Sequence, residues 1–161
     1  MRNVKGEMRE MDRAEARNSE RAPRYRQLKA WQTSDDLAVE VYKLTKRLPR
    51  DEYWLKDQII RAAASAPANI AEGYGRGSNK EFAQALVVAH GSLYEVDYFL
   101  HFLSRIELID AGTSAKLADD CRHGSRLTFG LLRAARTDSQ RTETKHRYLR
   151  EESLSYVFES E

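Results

Sequence analysis

Residues 78–103 read SNKEFAQALVVAHGSLYEVDYFLHFL, and this stretch decides the fold of the chain. It opens with Ser78 and Glu81 at the spacing of a capping box, in which each side chain satisfies a backbone amide at the start of a helix. Apolar residues then recur every three or four positions, which is the period of a helix with one buried face. That face consists of Phe82, Leu86, Ala89, Leu93, Val96, Leu100 and Leu103. The stretch therefore predicts a long amphipathic helix.

Three other segments have the same helical spacing. The first runs from Ser34, a favourable N-cap, to Leu48; the second from Asp51 to the glycines at 73, 75 and 77; the last from Thr113 or Ser114 to about residue 135. Their apolar faces are Leu37, Val41, Leu44 and Leu48; Leu55, Ile59, Ala62 or Ala63, Ala66 and Ile70; and Leu117, Cys121, Gly124, Thr128, Leu131 and Ala135. No segment alternates polar and apolar residues with period two, so no strand is predicted.

Short connections between the four segments favour antiparallel neighbours. We therefore predict an all-α fold: an up-down-up-down antiparallel four-helix bundle over residues 25–136, with a kinked second helix. Residues 1–24 are predicted to be a charged, flexible N-terminal arm and residues 137–161 a polar, flexible C-terminal tail, because apolar residues are scarce in both. A chain of 161 residues needs no disulfide to fold, and Cys121 is its one cysteine.

The composition argues against a membrane protein. Charged residues make up 32% of the chain, and no apolar run approaches the roughly 20 residues of a membrane span. Met1 is followed by charged residues without the apolar stretch of a secretory signal. We therefore expect a cytoplasmic protein with no membrane partner. The net charge of +2 at pH 7 is weak evidence for any partner.

The most distinctive stretch is RAAASAPANIAEG, residues 61–73. Pro67 lies inside the helical pattern, where it removes one backbone hydrogen bond and kinks the axis. Ser65 and Asn69 have side chains that can bond the freed backbone groups. This structural interpretation takes in Arg61, Ser65, Pro67, Asn69, Glu72 and Gly73. The alternative is a polar cluster of Arg61, Asn69 and Glu72 that faces a ligand.

The third helix carries more apolar surface than one bundle core can occupy. Large aromatic side chains left in water would favour aggregation, so we interpret the surplus as a subunit interface. The residues of this predicted interface are Tyr94, Tyr98, Phe99 and Phe102. The alternative is that these side chains are covered by the terminal segments.

Basic residues gather at one end of the predicted bundle. Antiparallel topology brings together the start of the first helix, the turn between helices two and three, and the end of the fourth helix. Arginines on the fourth helix also follow the bundle spacing. We interpret the set as a candidate nucleic-acid-binding surface, made of Arg26, Lys29, Arg76, Lys80, Arg126, Arg133 and Arg136. The alternative is the general preference of cations for helix C-termini.

No residues form a recognisable catalytic or metal-binding set. The four histidines lack the spacing of a zinc-binding helix, and glycines 73–77 lack the strand and the Gly-Lys-Ser ending of a phosphate-binding loop. Ser92 and Ser125 lie within helices and not in the strand-turn-helix of a serine hydrolase. We therefore predict no catalytic residue, no metal and no cofactor, and we expect that the protein is not an enzyme.

Several motifs, in this order, resemble a known family. They are LKAWQ at 28–32, VYKLT at 41–45, LP at 48–49, QIIRAAASAPANIAEG at 58–73, SNKEF at 78–82 and AHGSLYE at 89–95. The chain resembles the bacterial four-helix-bundle proteins encoded in 23S ribosomal RNA intervening sequences. That group includes the accessory variability protein of diversity-generating retroelements. The resemblance covers about residues 28–110.

The resemblance implies a homopentameric barrel with a central channel. For the retroelement member it also implies binding to nucleic acid and to a reverse transcriptase. We therefore expect a homo-oligomer, with RNA or DNA and a reverse transcriptase as candidate partners. The favoured function is a non-catalytic, oligomeric nucleic-acid-binding accessory protein. The alternative is a protein–protein scaffold that binds no nucleic acid.

Overall fold

A computed structural model describes residues 22–158, with side chains described for residues 22–144. After a 3₁₀ turn at Arg24–Gln27 come four helices: α1 at Lys29–Thr45, α2 at Tyr53–Gly75, α3 at Asn79–Arg105 and α4 at Ala111–Phe158. Each helix packs against the next in sequence, and α4 closes the ring against α1. Between residues 22 and 158 there is no β-strand. The predicted all-α four-helix bundle is confirmed, and the predicted N-terminal arm lies almost entirely outside the described residues.

Two helices begin earlier than the sequence predicted. Ser34 lies inside α1 and does not cap it; the buried hydroxyl donates a hydrogen bond to the Ala30 carbonyl at 2.8 Å. A serine can make this bond within a helix as well as at its start, so its presence did not mark the boundary. Asp110 precedes α4, and its carboxylate accepts a hydrogen bond from the Thr113 amide at 2.9 Å. Asp110 is therefore the N-cap of α4.

The fourth helix also extends further than predicted. It does not end near residue 136 but continues to Phe158, so most of the expected polar tail, residues 137–161, is helical. Polarity does not prevent a helix here, because Arg, Gln, Glu and Lys are good helix formers and residues 131–158 contain no glycine or proline. With 48 residues, α4 is about 72 Å long.

The core divides into two hydrophobic clusters along the bundle. The large core comprises Leu37, Val41, Leu44, Leu48, Leu55, Ile59, Ala62, Ala63, Ala66, Leu93, Val96, Phe99, Leu100, Leu103, Ile109, Leu117 and Cys121. The small core lies towards the α2–α3 turn and comprises Ala30, Ile70, Ala83, Leu86, Ala89, Leu132 and Ala135. All four helices contribute to both clusters, so the two cores together hold the whole bundle.

A layer of small polar side chains separates the two cores. It contains Ser34 from α1, Ser65 and Asn69 from α2, Ser92 from α3 and Thr128 from α4. Ser34, Asn69, Ser92 and Thr128 each fall between the positions of their helix that enter the large core and those that enter the small core, and Ser65 lies one turn before Asn69. Ser34, Ser92 and Thr128 are buried. The hydroxyl groups of Ser34 and Ser92 have hydrogen-bond partners, whereas Thr128 Oγ1 has none within residues 22–144.

A hydrogen-bond chain in this layer joins α2 to α3. The Asn69 amide donates to the Ser65 carbonyl at 2.8 Å and lies 3.0 Å from Ser65 Oγ. Ser65 Oγ is 2.9 Å from Ser92 Oγ, which in turn lies 3.0 Å from the Val88 carbonyl. Because each hydroxyl has one proton, the chain is complete when Ser65 donates to Ser92 and Ser92 donates to Val88. This polar contact fixes one point on α2 against one point on α3.

Pro67 lies next to this chain without ending the helix. Its ring cannot donate to the Ala63 carbonyl, yet α2 continues through Pro67 as far as Gly75. Pro67 is buried among small side chains. The Asn69 side chain donates to the Ser65 carbonyl, which lies in the same turn but is not the Ala63 carbonyl that Pro67 leaves free. The alanines and Gly73 in residues 61–73 allow close packing between helices.

Loss of either end of the hydrogen-bond chain should destabilise the bundle. We expect Asn69→Ala and Ser92→Ala each to lower the free energy of unfolding by about 1–3 kcal/mol, because a polar partner is left unsatisfied in the interior. In a double-mutant cycle, the two losses should be coupled by about 0.5 kcal/mol or more. Urea unfolding followed by circular dichroism measures these energies, with the exposed Thr137→Ala as control. Strictly additive losses would contradict the chain.

Close packing of α2 on α3 requires glycine at position 73. A Cβ there would overlap the Ala85 Cβ and lie 3.1 Å from Phe82 Cδ2. We expect Gly73→Ala to lower the free energy of unfolding by about 1–3 kcal/mol, because the two helices would have to separate. Gly75→Ala is the matched control, since a Cβ there meets no atom within 4 Å. Thermal unfolding should show a lower Tm for the first variant and an equal or higher Tm for the second.

Candidate nucleic-acid interface

The side of α4 that borders α3 carries a line of arginines. They are Arg122, Arg126, Arg133 and Arg136, at spacings of four, seven and three that keep them on one side of a helix. Arg122 and Arg126 face Tyr94 of α3 across a cleft, and Arg136 faces Lys80 of α3 across a second groove. We call these four arginines with Lys80 the basic flank. Three of the sequence-predicted binding residues on α4 and one on α3 thus belong to a single surface.

The groove between Lys80 and Arg136 has a volume of about 410 Å³. Its lining consists of Lys80, Ala83, Gln84, Val87, Arg136, Ser139, Gln140 and Glu143. Glu143 lies 4.0 Å from the Lys80 amine and offsets part of its charge. The sequence did not reveal this groove, because it placed residues 139–143 in a tail and not on α4.

The other predicted binding residues are arranged differently. Arg76 pairs with Glu72 on its own helix and with Glu81 at 3.4 Å, so two carboxylates offset its charge. Arg26 lies over the ring of Tyr25, 5.9 Å from its centroid. Lys29 is the exposed first residue of α1. The predicted basic end is therefore divided, and its strongest part is the basic flank.

Each polar group of the alternative ligand-facing cluster on α2 has a partner nearby in sequence. Arg61 pairs with Asp57 at 3.4 Å within α2, and Glu72 pairs with Arg76. The Asn69 side chain bonds the Ser65 carbonyl. The structure therefore favours a packing role for residues 61–73.

The aromatic residues of α3 also divide into separate groups. Tyr94 and Tyr98 are 61% and 58% exposed, but Phe99 is buried in the large core and Phe102 packs half-buried against it. The prediction of Phe99 as a subunit-interface residue was wrong, because α2 packs over that side of α3 and covers its ring. Tyr94 turns the other way, with its ring 5.1 Å from that of His90.

Trp54 is an exposed aromatic residue that the sequence analysis missed. Its side chain is 57% exposed and contacts the edge of Phe102, whose ring in turn stacks on Tyr98. Tyr53, beside it, is 72% exposed. We call Tyr53, Trp54, Tyr98 and Phe102 the aromatic patch. The sequence feature that could have predicted this exposure is the Tyr-Trp pair at the start of α2, which precedes the apolar face that begins at Leu55.

Between α3 and α4 lies a cleft of about 250 Å³. Its lining consists of Leu93, Tyr94, Asp97, Cys121, Arg122, Ser125 and Arg126. Leu93 and Cys121 form a buried apolar floor. Burial raises the pKa of the Cys121 thiol to about 12, so the thiol is protonated at neutral pH and is not a nucleophile there. We call this cavity the α3–α4 cleft.

His90 and Ser125 form a polar contact beside the cleft. Ser125 Oγ lies 2.9 Å from His90 Nε2, and burial lowers the pKa of His90, so the ring is neutral at pH 7. Within residues 22–144 no carboxylate is hydrogen-bonded to the His90 ring, and both residues lie inside helices whose amides are already engaged. The pair therefore lacks the orienting acid and the oxyanion donors of a serine hydrolase. It acts as a hydrogen bond between α3 and α4.

The described part of the chain holds neither a metal-binding cluster nor a membrane-spanning helix. No three histidine, cysteine, aspartate or glutamate side chains within residues 22–144 come together in a way that could hold a metal ion. Among the helices in this part of the chain, none is apolar over a sufficient length to span a bilayer.

Comparison with known proteins identifies the family. The family model of the 23S rRNA-intervening sequence protein matches residues 26–130, so Arg133, Arg136 and the rest of α4 lie beyond the match. A solved structure of a protein of unknown function from the S23 ribosomal protein family of Bacteroides thetaiotaomicron is 27% identical. Its alignment covers 64% of this chain and 97% of that chain, with a TM-score of 0.61. No curated protein matches this chain. By the extent of the family match, the chain belongs to the 23S rRNA-intervening sequence protein family.

Proposed function

We propose that this protein is a non-catalytic, homo-oligomeric accessory factor that binds nucleic acid along the basic flank. The observation that carries the proposal is the alignment of four arginines on α4 with Lys80 of α3 beside them. Arginine donates paired hydrogen bonds to phosphate and remains charged at all physiological pH values. A row of such side chains is suited to follow a phosphate backbone.

Most of these guanidinium groups are available to a ligand. Within residues 22–144, Arg126, Arg133 and Arg136 have no carboxylate within 4.0 Å, whereas Arg122 pairs with Asp119 at 3.4 Å. Arg126 and Arg136 are ten residues apart on a helix, which is about 15 Å. This length corresponds to about four base-pair steps along a nucleic acid strand. One protomer can therefore contact several consecutive phosphates.

The small net charge indicates that a single protomer binds weakly. The chain carries only +2 at pH 7, so attraction comes from the flank and not from the whole surface. Several copies of a weak site on one strand give a much stronger interaction, because each later contact is intramolecular. Oligomerisation is therefore part of the proposal. The family name, which refers to an intervening sequence of 23S ribosomal RNA, makes structured RNA the first ligand to test.

The aromatic patch supports the oligomer. Trp54 and Tyr98 are more than half exposed and both contact the Phe102 ring, and Tyr53, which precedes Trp54 in the chain, is 72% exposed. Aromatic side chains of this kind are concentrated in protein interfaces and rare on free surfaces. The family resemblance implies a pentamer, which we adopt in the proposal. The same patch also favours the second candidate function, a protein–protein scaffold, while a reverse transcriptase stays a predicted partner.

The oligomer is tested by light scattering after size-exclusion chromatography. We expect a mass of about 93 kDa, five times the 18.6 kDa of one chain, at micromolar concentration. The double variant Trp54→Ser, Tyr98→Ser should elute at a lower mass, because the patch would lose most of its apolar area. Tyr42→Ser is the matched control, since Tyr42 is 50% exposed on α1, where Lys46 lies over its ring. A wild-type mass of one chain would contradict the oligomer.

Nucleic-acid binding is tested by fluorescence anisotropy with a structured RNA at several salt concentrations. Each neutralised phosphate contributes about 0.7–0.9 to the slope of log affinity against log salt concentration. We therefore expect Arg133→Gln with Arg136→Gln to reduce the slope by about 1.4–1.8 per bound protomer. The oligomer mass should not change.

The control for this experiment removes the same charge elsewhere. Arg50→Gln with Arg105→Gln alters two exposed arginines at the other end of the bundle and should leave the slope unchanged. A salt slope that Arg133→Gln with Arg136→Gln leaves unchanged would assign binding to the arginines of residues 2–24 instead. If neither RNA nor duplex DNA binds at low salt, the scaffold function replaces the one proposed.

A further inference from the structure

The α3–α4 cleft adjoins the basic flank but differs from it in character. Its floor is apolar, one wall is the exposed ring of Tyr94, and its polar groups are Asp97, Ser125 and the two arginines Arg122 and Arg126. A site for phosphate alone would not need an aromatic wall or a carboxylate. We propose that the cleft binds a single unpaired base of a nucleic acid, with guanine preferred. This proposal rests on the function proposed above.

The size of the cleft suits one base. Cavities that enclose drug-sized molecules start at about 300 Å³, and this one measures about 250 Å³. A flat heterocycle fits such a volume, while the sugar and phosphate attached to it must remain outside. Arg122 and Arg126 line the same cleft and continue into the basic flank, so the phosphate next to an inserted base would meet a guanidinium group.

Tyr94 supplies the stacking surface. Its ring is 61% exposed, and the contact between its edge and His90 holds it against the cleft. Aromatic side chains bind unpaired bases by stacking, whereas the bases of a duplex are already stacked on each other. The ring therefore discriminates between a loop or single strand and a duplex.

Asp97 supplies the preference among bases. Within residues 22–144 no cation lies within 4.0 Å of its carboxylate, so the two oxygens are free to accept hydrogen bonds. Unpaired guanine presents two adjacent donors, N1–H and N2–H, which match the two oxygens of a carboxylate. Uracil presents one ring N–H between two carbonyl oxygens, and those oxygens would face the negative charge. The charge of Asp97 also directs phosphate towards the arginines.

Ser125 completes the wall opposite Tyr94. The hydrogen bond to His90 at 2.9 Å fixes the position of its hydroxyl. Because the burial-lowered pKa leaves His90 neutral, the ring orients Ser125 without adding a charge to the site. The cleft thus combines an apolar floor, a stacking ring and fixed polar groups, which is the usual composition of a site for a small planar ligand.

The test compares three RNAs of equal length: a hairpin with guanine at one loop position, the same hairpin with uracil there, and a fully paired duplex. We expect the guanine hairpin to bind the wild-type oligomer most tightly. Tyr94→Leu should weaken hairpin binding about tenfold and leave duplex binding unchanged, because only stacking is lost. Tyr94→Phe should restore hairpin binding. Asp97→Asn should abolish the preference for guanine over uracil.

Controls separate this proposal from loss of structure and from failure of the proposed function. Tyr42→Leu removes a half-exposed tyrosine from α1 and should leave the binding of all three RNAs unchanged. If Tyr94→Leu does not fold, photo-crosslinking of wild-type protein to a hairpin with 6-thioguanine in the loop should label residues 90–98 or 121–126. Labels confined to other residues would overturn the proposal. Equal binding of all three RNAs with a normal salt slope would overturn it and leave the basic flank intact; no binding of any RNA would overturn both.

Discussion

The hydrogen-bond chain from Asn69 through Ser65 and Ser92 is the constraint on which the rest of the structure depends. Apolar burial has no direction, so two amphipathic helices displaced by one turn, about 5.4 Å, would still bury much of the same surface. The polar chain does not allow such a displacement, because its donors and acceptors would lose their partners in the interior. It therefore fixes the axial position of α2 against α3.

The position of α4 is fixed by similar contacts. The His90–Ser125 hydrogen bond joins the middle of α3 to the first third of α4, and the Ser114 hydroxyl donates to the Leu100 carbonyl at 3.3 Å nearer the start of α4. With these two contacts in place, Arg126 lies opposite Tyr94 and Arg136 opposite Lys80. The basic flank and the α3–α4 cleft are thus results of helix register, and no single segment of sequence contains either of them.

This dependence explains what the sequence could and could not predict. The apolar spacing within each helix predicted the buried faces, and Leu86, Leu93 and Leu100 are all inside as expected. Helix ends were less predictable, because Ser34 bonds the helix interior and the polar residues after Arg136 remain helical. The burial of Phe99 and the exposure of Trp54 depend on how α2 is rotated against α3. Periodicity along one helix does not determine that rotation. The proximity of Lys80 and Arg136 follows from antiparallel topology, and the sequence analysis predicted it.

The division of the core has a consequence for how the bundle opens. The small core consists largely of alanines, such as Ala30, Ala83 and Ala89, whereas leucine, isoleucine and phenylalanine fill much of the large core. Less apolar area is removed from water in the alanine half, and the polar layer interrupts packing between the halves. We therefore expect the two halves to open separately, with amide protons near residues 83–89 exchanging through openings that leave those near residues 96–103 protected. Lys80 and Arg136 lie beside the small core. Their surface can therefore adjust to the shape of a partner while the large core keeps the chain folded.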